Sequence, residues 1–155
     1  MLLSALRPAE ICRLKISDFW LSKGLVVVQG SKSKNKKKRI IPIAKPFLEI
    51  LKEYFKNLPS GFYICSKGLK PGAVFEHSTR IAEHFREIAN QLKIPSEVKF
   101  YSLKDTAADR LIGHGFSPKT IRDLFGHSSI AVIDAYLKKF RNMIDERLIN
   151  EFPHP

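Results

Sequence analysis

One short segment constrains the fold of this chain more than any other. A mostly β-branched run at 25–28 precedes Lys32–Arg39, which holds six basic residues in eight, and an isoleucine-rich stretch follows at 40–43. Two apolar strands around a polar turn predict a β-hairpin. A charged turn is often only a solvated loop. On a rigid ribbon, however, a basic tip can enter a nucleic-acid groove or contact a phosphate.

The remaining sequence has the apolar spacing of helices. Pro46 suits a first helical position, Pro95 follows the end of another apolar stripe, and Gly126 suits a helix end. A further short strand is predicted at Tyr63–Cys65. The predicted fold class is therefore α+β, mainly α, with one small antiparallel hairpin or sheet. The predicted helices cover residues 8–14, 46–55, 81–92, 103–114, 118–125, 129–139 and 143–152.

Size and charge narrow the possible partners. The chain has 155 residues, which suits one domain, and 44% hydrophobic residues, which suffices for a core. It shows neither an apolar run of bilayer length nor a leader peptide, so we expect a cytoplasmic protein without a membrane partner. Two cysteines are too few for a disulfide framework or a zinc knuckle. A net charge of +12 predicts a polyanionic partner, with nucleic acid as the default.

Several polar residues stand where chemistry on a phosphate would need them. Arg7 begins a helix, Tyr101 and Lys104 begin another, His127 lies in a turn, and Tyr136 follows nine residues later. Each alone has an ordinary interpretation, such as a helix ion pair, a cap, a turn residue or a packed ring. Together they suit phosphoryl transfer. A tyrosine hydroxyl can attack phosphorus, cations stabilise the charge on its oxygens, and a lysine can protonate the leaving oxygen.

At these residues the sequence resembles the tyrosine recombinases, or phage-type integrases. The segment Leu6–Ile11 resembles the first arginine box of that family, and Arg39–Ile43 ends a stretch similar to its catalytic-lysine hairpin. Leu124–Ile130, with Tyr136 beyond it, resembles the third box and the nucleophile. The resemblance implies a mainly helical catalytic domain that cuts and rejoins duplex DNA through a 3′-phosphotyrosine. It also implies that no metal and no cofactor is needed.

The resemblance assigns a role to each matching residue. Arg7 corresponds to the first phosphate-clamping arginine, His127 to the third-box histidine and Tyr136 to the nucleophile. The general-acid lysine is either Lys32, the first lysine after the strand, or Lys34, which the count back from Arg39 favours. The hairpin tip supplies the expected DNA contacts, which are Lys34, Lys36, Lys37, Lys38 and Arg39.

The second box departs from the usual pattern of the family. Where His-x-x-Arg is usual, this chain has Tyr101-x-x-Lys104, and Lys104 lies 23 residues before His127, the usual gap. This form resembles integrases of Bacteroides-type elements. Lysine keeps the charge but loses the bidentate fork of arginine. An alternative second cation is Arg110 or Arg122.

The resemblance also raises expectations about organisation. We expect residues 1–155 to be the catalytic domain, truncated at its N-terminus and without the preceding DNA-clamping core-binding domain. The partner is double-stranded DNA, which places the protein at the nucleoid, and the helix at 142–152 is expected to mediate self-association on DNA. Two alternatives stay open. One is a catalytically decayed integrase, and the other is a non-catalytic helix-turn-helix module formed by residues 118–139.

Overall fold

A computed structural model describes residues 6–33 and 37–127 of the chain. This part of the chain is mainly helical and contains one three-stranded antiparallel sheet in the order β1-β2-β3. The predicted fold class is therefore confirmed. The helices are α1 (Pro8–Arg13), α2 (Lys45–Phe55), α3 (Ser78–Gln91), α4 (Ser102–Gly113) and α5 (Pro118–Phe125), and the strands are β1 (Phe19–Trp20), β2 (Leu25–Val28) and β3 (Arg39–Pro42).

The predicted hairpin is present, and its register fixes which side chains point inward. Val28 pairs with Arg39, and Val26 pairs with Ile41. Residues two apart in a strand share one face of the sheet, so Arg39 lies on the same face as Ile41, which is fully buried. Arg39 therefore belongs to the strand and faces inward, while Lys37 and Lys38 precede the strand and are exposed.

Two expectations about strands need correction. Tyr63–Cys65 does not form a strand, since Tyr63 makes only isolated bridges to Lys15 and Gly72. Conversely, β1 was not predicted, because it has only two residues and no alternating pattern to reveal it. It pairs with the other side of β2, so β2 is the central strand. Three consecutive residues of β2, at 26–28, are buried, so both faces of this central strand are covered.

The buried apolar residues form two clusters that meet beside α5. The first joins the sheet to α1 and α2, and its members include Leu14, Ile41 and Phe55. The second joins α4 to α5. Leu124 packs against both clusters, and α5 also contacts β3. The ends of α1, β3, α4 and α5 are thereby brought close together.

Several predictions lie outside the described residues. These are the helices at 129–139 and 143–152, the second half of the alternative helix-turn-helix, Lys34, Lys36 and Tyr136. Within the described ranges, no helix has the length and apolar character that crossing a bilayer requires.

Candidate active site

Arg7 is held at the start of α1 by a buried carboxylate. It occupies the N-cap position with an extended backbone, and Pro8 follows in the first turn. The backbone N–H of Arg7 donates to Glu10 Oε2 at 2.7 Å, and its Nη1 donates to Glu10 Oε1 at 3.1 Å. The other terminal nitrogen, Nη2, donates to the Gly126 carbonyl at 3.2 Å. The ordinary i, i+3 pair therefore exists, but the guanidinium also reaches the end of α5.

Gly126 ends α5 in the left-handed conformation that favours glycine, with a φ of 62°. The next residue, His127, donates its backbone N–H to the Arg122 carbonyl at 3.0 Å, which closes the last turn of the helix. A Cβ at Gly126 would lie 3.0 Å from Nη1 of Arg39. Glycine is therefore needed here for its backbone conformation and for the close approach of Arg39.

Lys104 lies in the first turn of α4 and is only 1% exposed. Its Nζ donates a long hydrogen bond of 3.4 Å to the Phe125 carbonyl and lies 4.9 Å from the centre of the Phe125 ring. Burial, followed by the positive charge of Arg7 and, more weakly, of Arg39, lowers the pKa of Lys104 to about 7. In the absence of an anion, the ammonium form is thus poorly stabilised.

His127 lies in the same cationic environment. Burial and, to a lesser extent, the positive charges of Lys104, Arg7 and Arg39 lower the pKa of His127 to about 4. The imidazole is therefore neutral at neutral pH. Its Nδ1 is buried and has no hydrogen-bond partner in the described part of the chain. The ring lies edge-on to that of Phe125, with 5.8 Å between centroids.

Arg39 contributes a second guanidinium to the cluster. Its Nη1 and Nη2 donate to Glu10 Oε1 and Oε2 at 2.8 and 2.6 Å, which is a bidentate fork. Burial raises the pKa of Glu10, but hydrogen bonds from Arg39 and Arg7 outweigh it and hold the pKa below its usual value. The DNA contact predicted for Arg39 stays a prediction. In the structure its terminal nitrogens engage Glu10.

The hairpin lysines differ in their surroundings. Lys32 ends a short 3₁₀ turn, Gly30–Lys32, and its Nζ forms an ion pair with the buried carboxylate of Asp18. Lys37 and Lys38 line a cavity of about 470 Å³ together with His127. Because Lys34 lies outside the described residues, the choice between Lys32 and Lys34 stays open.

The structure thus brings together three of the predicted catalytic residues, Arg7, Lys104 and His127. Tyr101 is 46% exposed, and its ring centre lies 5.9 Å from Nζ of Lys104.

The two alternative second cations are placed differently. Arg110 is exposed and lines an apolar groove between β3 and the α4–α5 pair. Arg122 donates from Nε and Nη2 to Asp123 at 2.8 and 2.7 Å, yet it also lines the cavity beside His127. Among these candidates, Lys104 is the one that is buried next to Arg7.

Sequence reasoning missed the central role of Glu10 and the inward direction of Arg39. Two signals were available. An acidic residue three positions after an N-cap is the mark of a capping box, and Arg39 stands two residues before the buried Ile41. Within residues 6–33 and 37–127, no three His, Cys, Asp or Glu side chains lie together in a way that can hold a metal ion.

A buried cluster of cations beside a basic hairpin, on a mainly helical fold, is the arrangement expected of a protein that handles phosphate groups. The sequence model of the Phage integrase family matches residues 1–143, and the chain belongs to this family. The resemblance to tyrosine recombinases is thereby confirmed. The narrower resemblance to Bacteroides-type integrases stays a prediction.

Comparison with individual proteins gives matches to the same family. The chain is 28% identical over 146 residues to the tyrosine recombinase XerC of Halalkalibacterium halodurans, covering 86% of this chain and 46% of XerC. It is similar in fold to a crystal structure of XerA recombinase, with a TM-score of 0.73 and 23% identity over 99% of this chain and 56% of that one. A Tn1549 transposon integrase in complex with circular intermediate DNA has a TM-score of 0.73 and 18% identity, over 87% and 52% of the two chains. The chain thus spans about half the length of such relatives.

Proposed function

We propose that this chain is the catalytic part of a site-specific recombinase that cuts and rejoins duplex DNA through Tyr136. The observation that carries the proposal is the convergence of Arg7, Lys104 and His127 from three separate segments. An anionic phosphate bound beside these groups would offset the repulsion between their positive charges. The basic hairpin beside them and the net charge of +12 suit a DNA backbone.

The proposed reaction has two balanced steps. In cleavage, the Tyr136 hydroxyl attacks phosphorus, the bond to the 5′ oxygen breaks, and a 3′-phosphotyrosyl bond forms. The leaving oxygen takes a proton from Lys32 or Lys34 and departs as a hydroxyl, while the phenol proton passes to His127 or to water. In rejoining, a 5′ hydroxyl attacks the phosphotyrosine and the same protons return. The DNA bond energy is kept in the covalent intermediate.

The cations in this scheme act on the non-bridging oxygens. Arg7 can donate to the phosphate with the hydrogens that Glu10 and Gly126 leave free. A phosphate close to Lys104 would offset the positive charges of Arg7 and Arg39, and it would therefore favour the protonated lysine. Neutral His127 can donate one hydrogen bond to the phosphate. Because Lys104 replaces the usual arginine of the second box, it offers the phosphate a point charge instead of a bidentate pair of N–H groups.

The proposal extends to partners and location. Self-association on DNA would use the segment 142–152, because its apolar residues at helical spacing need a partner surface. Location at the nucleoid follows from the proposed DNA substrate. That residues 1–155 form the catalytic domain belongs to the same proposal.

A covalent trapping assay tests the proposed function. A nicked duplex that loses its short 5′-hydroxyl fragment after cleavage leaves the protein attached to the DNA. The wild-type chain is expected to give a covalent band, and Tyr136→Phe is expected to give none while keeping most of its DNA affinity, which arises from phosphate contacts. Tyr54→Phe, a half-exposed tyrosine on α2, is the matched control and should behave as wild type. DNA binding without any covalent band from the wild-type chain would favour the decayed or non-catalytic alternative.

A further inference from the structure

The carboxylate of Glu10 accepts hydrogen bonds from two arginines. Oε1 accepts from Nη1 of Arg7 at 3.1 Å and from Nη1 of Arg39 at 2.8 Å. Oε2 accepts from the backbone N–H of Arg7 at 2.7 Å and from Nη2 of Arg39 at 2.6 Å. The shorter side-chain contacts to both oxygens are thus those of Arg39. Arg7 touches the carboxylate with one terminal nitrogen at a longer distance.

The position of Arg39 is set by the sheet and is not that of a free surface cation. Its register opposite Val28 directs it inward, and its side chain is 10% exposed. The guanidinium lies against Gly126, the residue that precedes His127. One side chain thus joins the hairpin to the start of α1 and to the end of α5.

The charges explain why this arrangement matters for Arg7. A single carboxylate balances one positive charge, and in a buried site an oppositely charged fork is held strongly. If Arg39 were absent, Glu10 would be buried with Arg7 as its remaining ionic partner in the described chain. The carboxylate would then draw the Arg7 guanidinium into a bidentate ion pair and occupy N–H groups that a phosphate would otherwise accept from.

We propose that Arg39 is a positioning residue that occupies both oxygens of Glu10 and so leaves the remaining N–H groups of the Arg7 guanidinium available to a phosphate. The inference rests on the proposed function, since the phosphate is that of the scissile DNA.

A double variant separates this role from ordinary structural support. Arg39→Met removes the fork, and we expect affinity for inorganic phosphate to fall by roughly 10-fold, the equivalent of one charge-assisted contact. Adding Glu10→Gln removes the carboxylate charge that would hold Arg7 in this ion pair. The double variant should therefore bind phosphate and cleave nicked DNA better than Arg39→Met alone. If Arg39 served only to hold the fold, the second substitution would bring no recovery, and that result would overturn the inference.

The measurement follows arginine side-chain signals by NMR on ¹⁵N-labelled full chain during titration with inorganic phosphate. This readout does not require DNA cleavage. A wild-type chain that binds phosphate at Arg7 but forms no covalent DNA adduct would refute the proposed function and still allow the Arg39 comparison. A wild-type chain whose Arg7 signals do not respond to phosphate would refute the inference itself.

Two further variants guard against simple misfolding. Arg39→Lys keeps the charge but cannot hold both oxygens, and it should lose affinity for phosphate by about 3-fold or more, because a fork is replaced by a point charge. Wild-type affinity in this variant would contradict the fork argument. The matched control is Arg80→Met with Glu83→Gln, which removes an exposed ion pair on α3 and should leave phosphate binding and cleavage unchanged.

Discussion

Replacing Lys104 by methionine should stabilise the chain at neutral pH, and the gain should shrink as the pH rises. Lys104 is 1% exposed, its ammonium has a 3.4 Å contact with a carbonyl oxygen, and two guanidiniums act on it electrostatically. Methionine has a similar length and carries no charge. The variant therefore removes the cost of a buried ammonium while keeping most of the packing against Phe125.

The size of this stabilisation and the direction of its change with pH follow from the lowered pKa of Lys104. The pKa of Lys104 is lowered to about 7 in the folded chain, whereas an unfolded lysine has a pKa of about 10.4. Between these values the unfolded state binds more protons, so the wild-type free energy of unfolding rises with pH, by up to about 1.4 kcal/mol per pH unit. Below the folded pKa both states are protonated and the penalty is constant. From pH 7.5 to 9.5, the advantage of Lys104→Met should therefore fall by about 2–3 kcal/mol.

Urea denaturation at fixed ionic strength, repeated across this pH range, measures the difference between the two proteins. Glu10 does not interfere, because its lowered pKa keeps it ionised throughout, and His127 stays neutral because its pKa is about 4. Lys119→Met, an exposed lysine on α5, is the control, and its difference from wild type should not vary with pH. A flat difference for Lys104→Met as well would refute the reasoning, since it would mean that Lys104 keeps its proton in the folded chain.

Two other predictions concern the surroundings of the cation cluster. Gly126→Ala should destabilise the chain by about 1–2 kcal/mol, the cost of a left-handed conformation in a non-glycine residue, and its Cβ should displace Arg39. Thermal unfolding measures the loss of stability, and phosphate titration measures the effect of displacing Arg39. Unchanged values in both measurements would contradict the tight packing. Lys37→Ala with Lys38→Ala should weaken DNA binding and reduce the slope of log affinity against log salt by about 2, one for each exposed lysine. An unchanged slope would show that this part of the hairpin does not contact phosphates.

The elements of the fold were largely readable from the sequence because they depend on local signals. The proline that begins α5, the glycine that ends it and the two strands of the hairpin all appear where the pattern predicted them. By contrast, β1 was missed because it is defined by its pairing with β2 and not by its own two residues.

The chemical state of the site was decided by the tertiary structure alone. The sequence placed Arg7, Lys104 and His127 in three segments, but it could not show that one buried carboxylate, Glu10, holds two arginines beside them. Nor could it show that Lys104 loses its contact with water. A pKa depends on solvation and on distances between charges, and both are set when segments more than 100 residues apart, such as α1 and the end of α5, pack together. The sequence thus determined in which segments the ionisable residues stand, and the packing determined how far they are desolvated and which of them lie side by side.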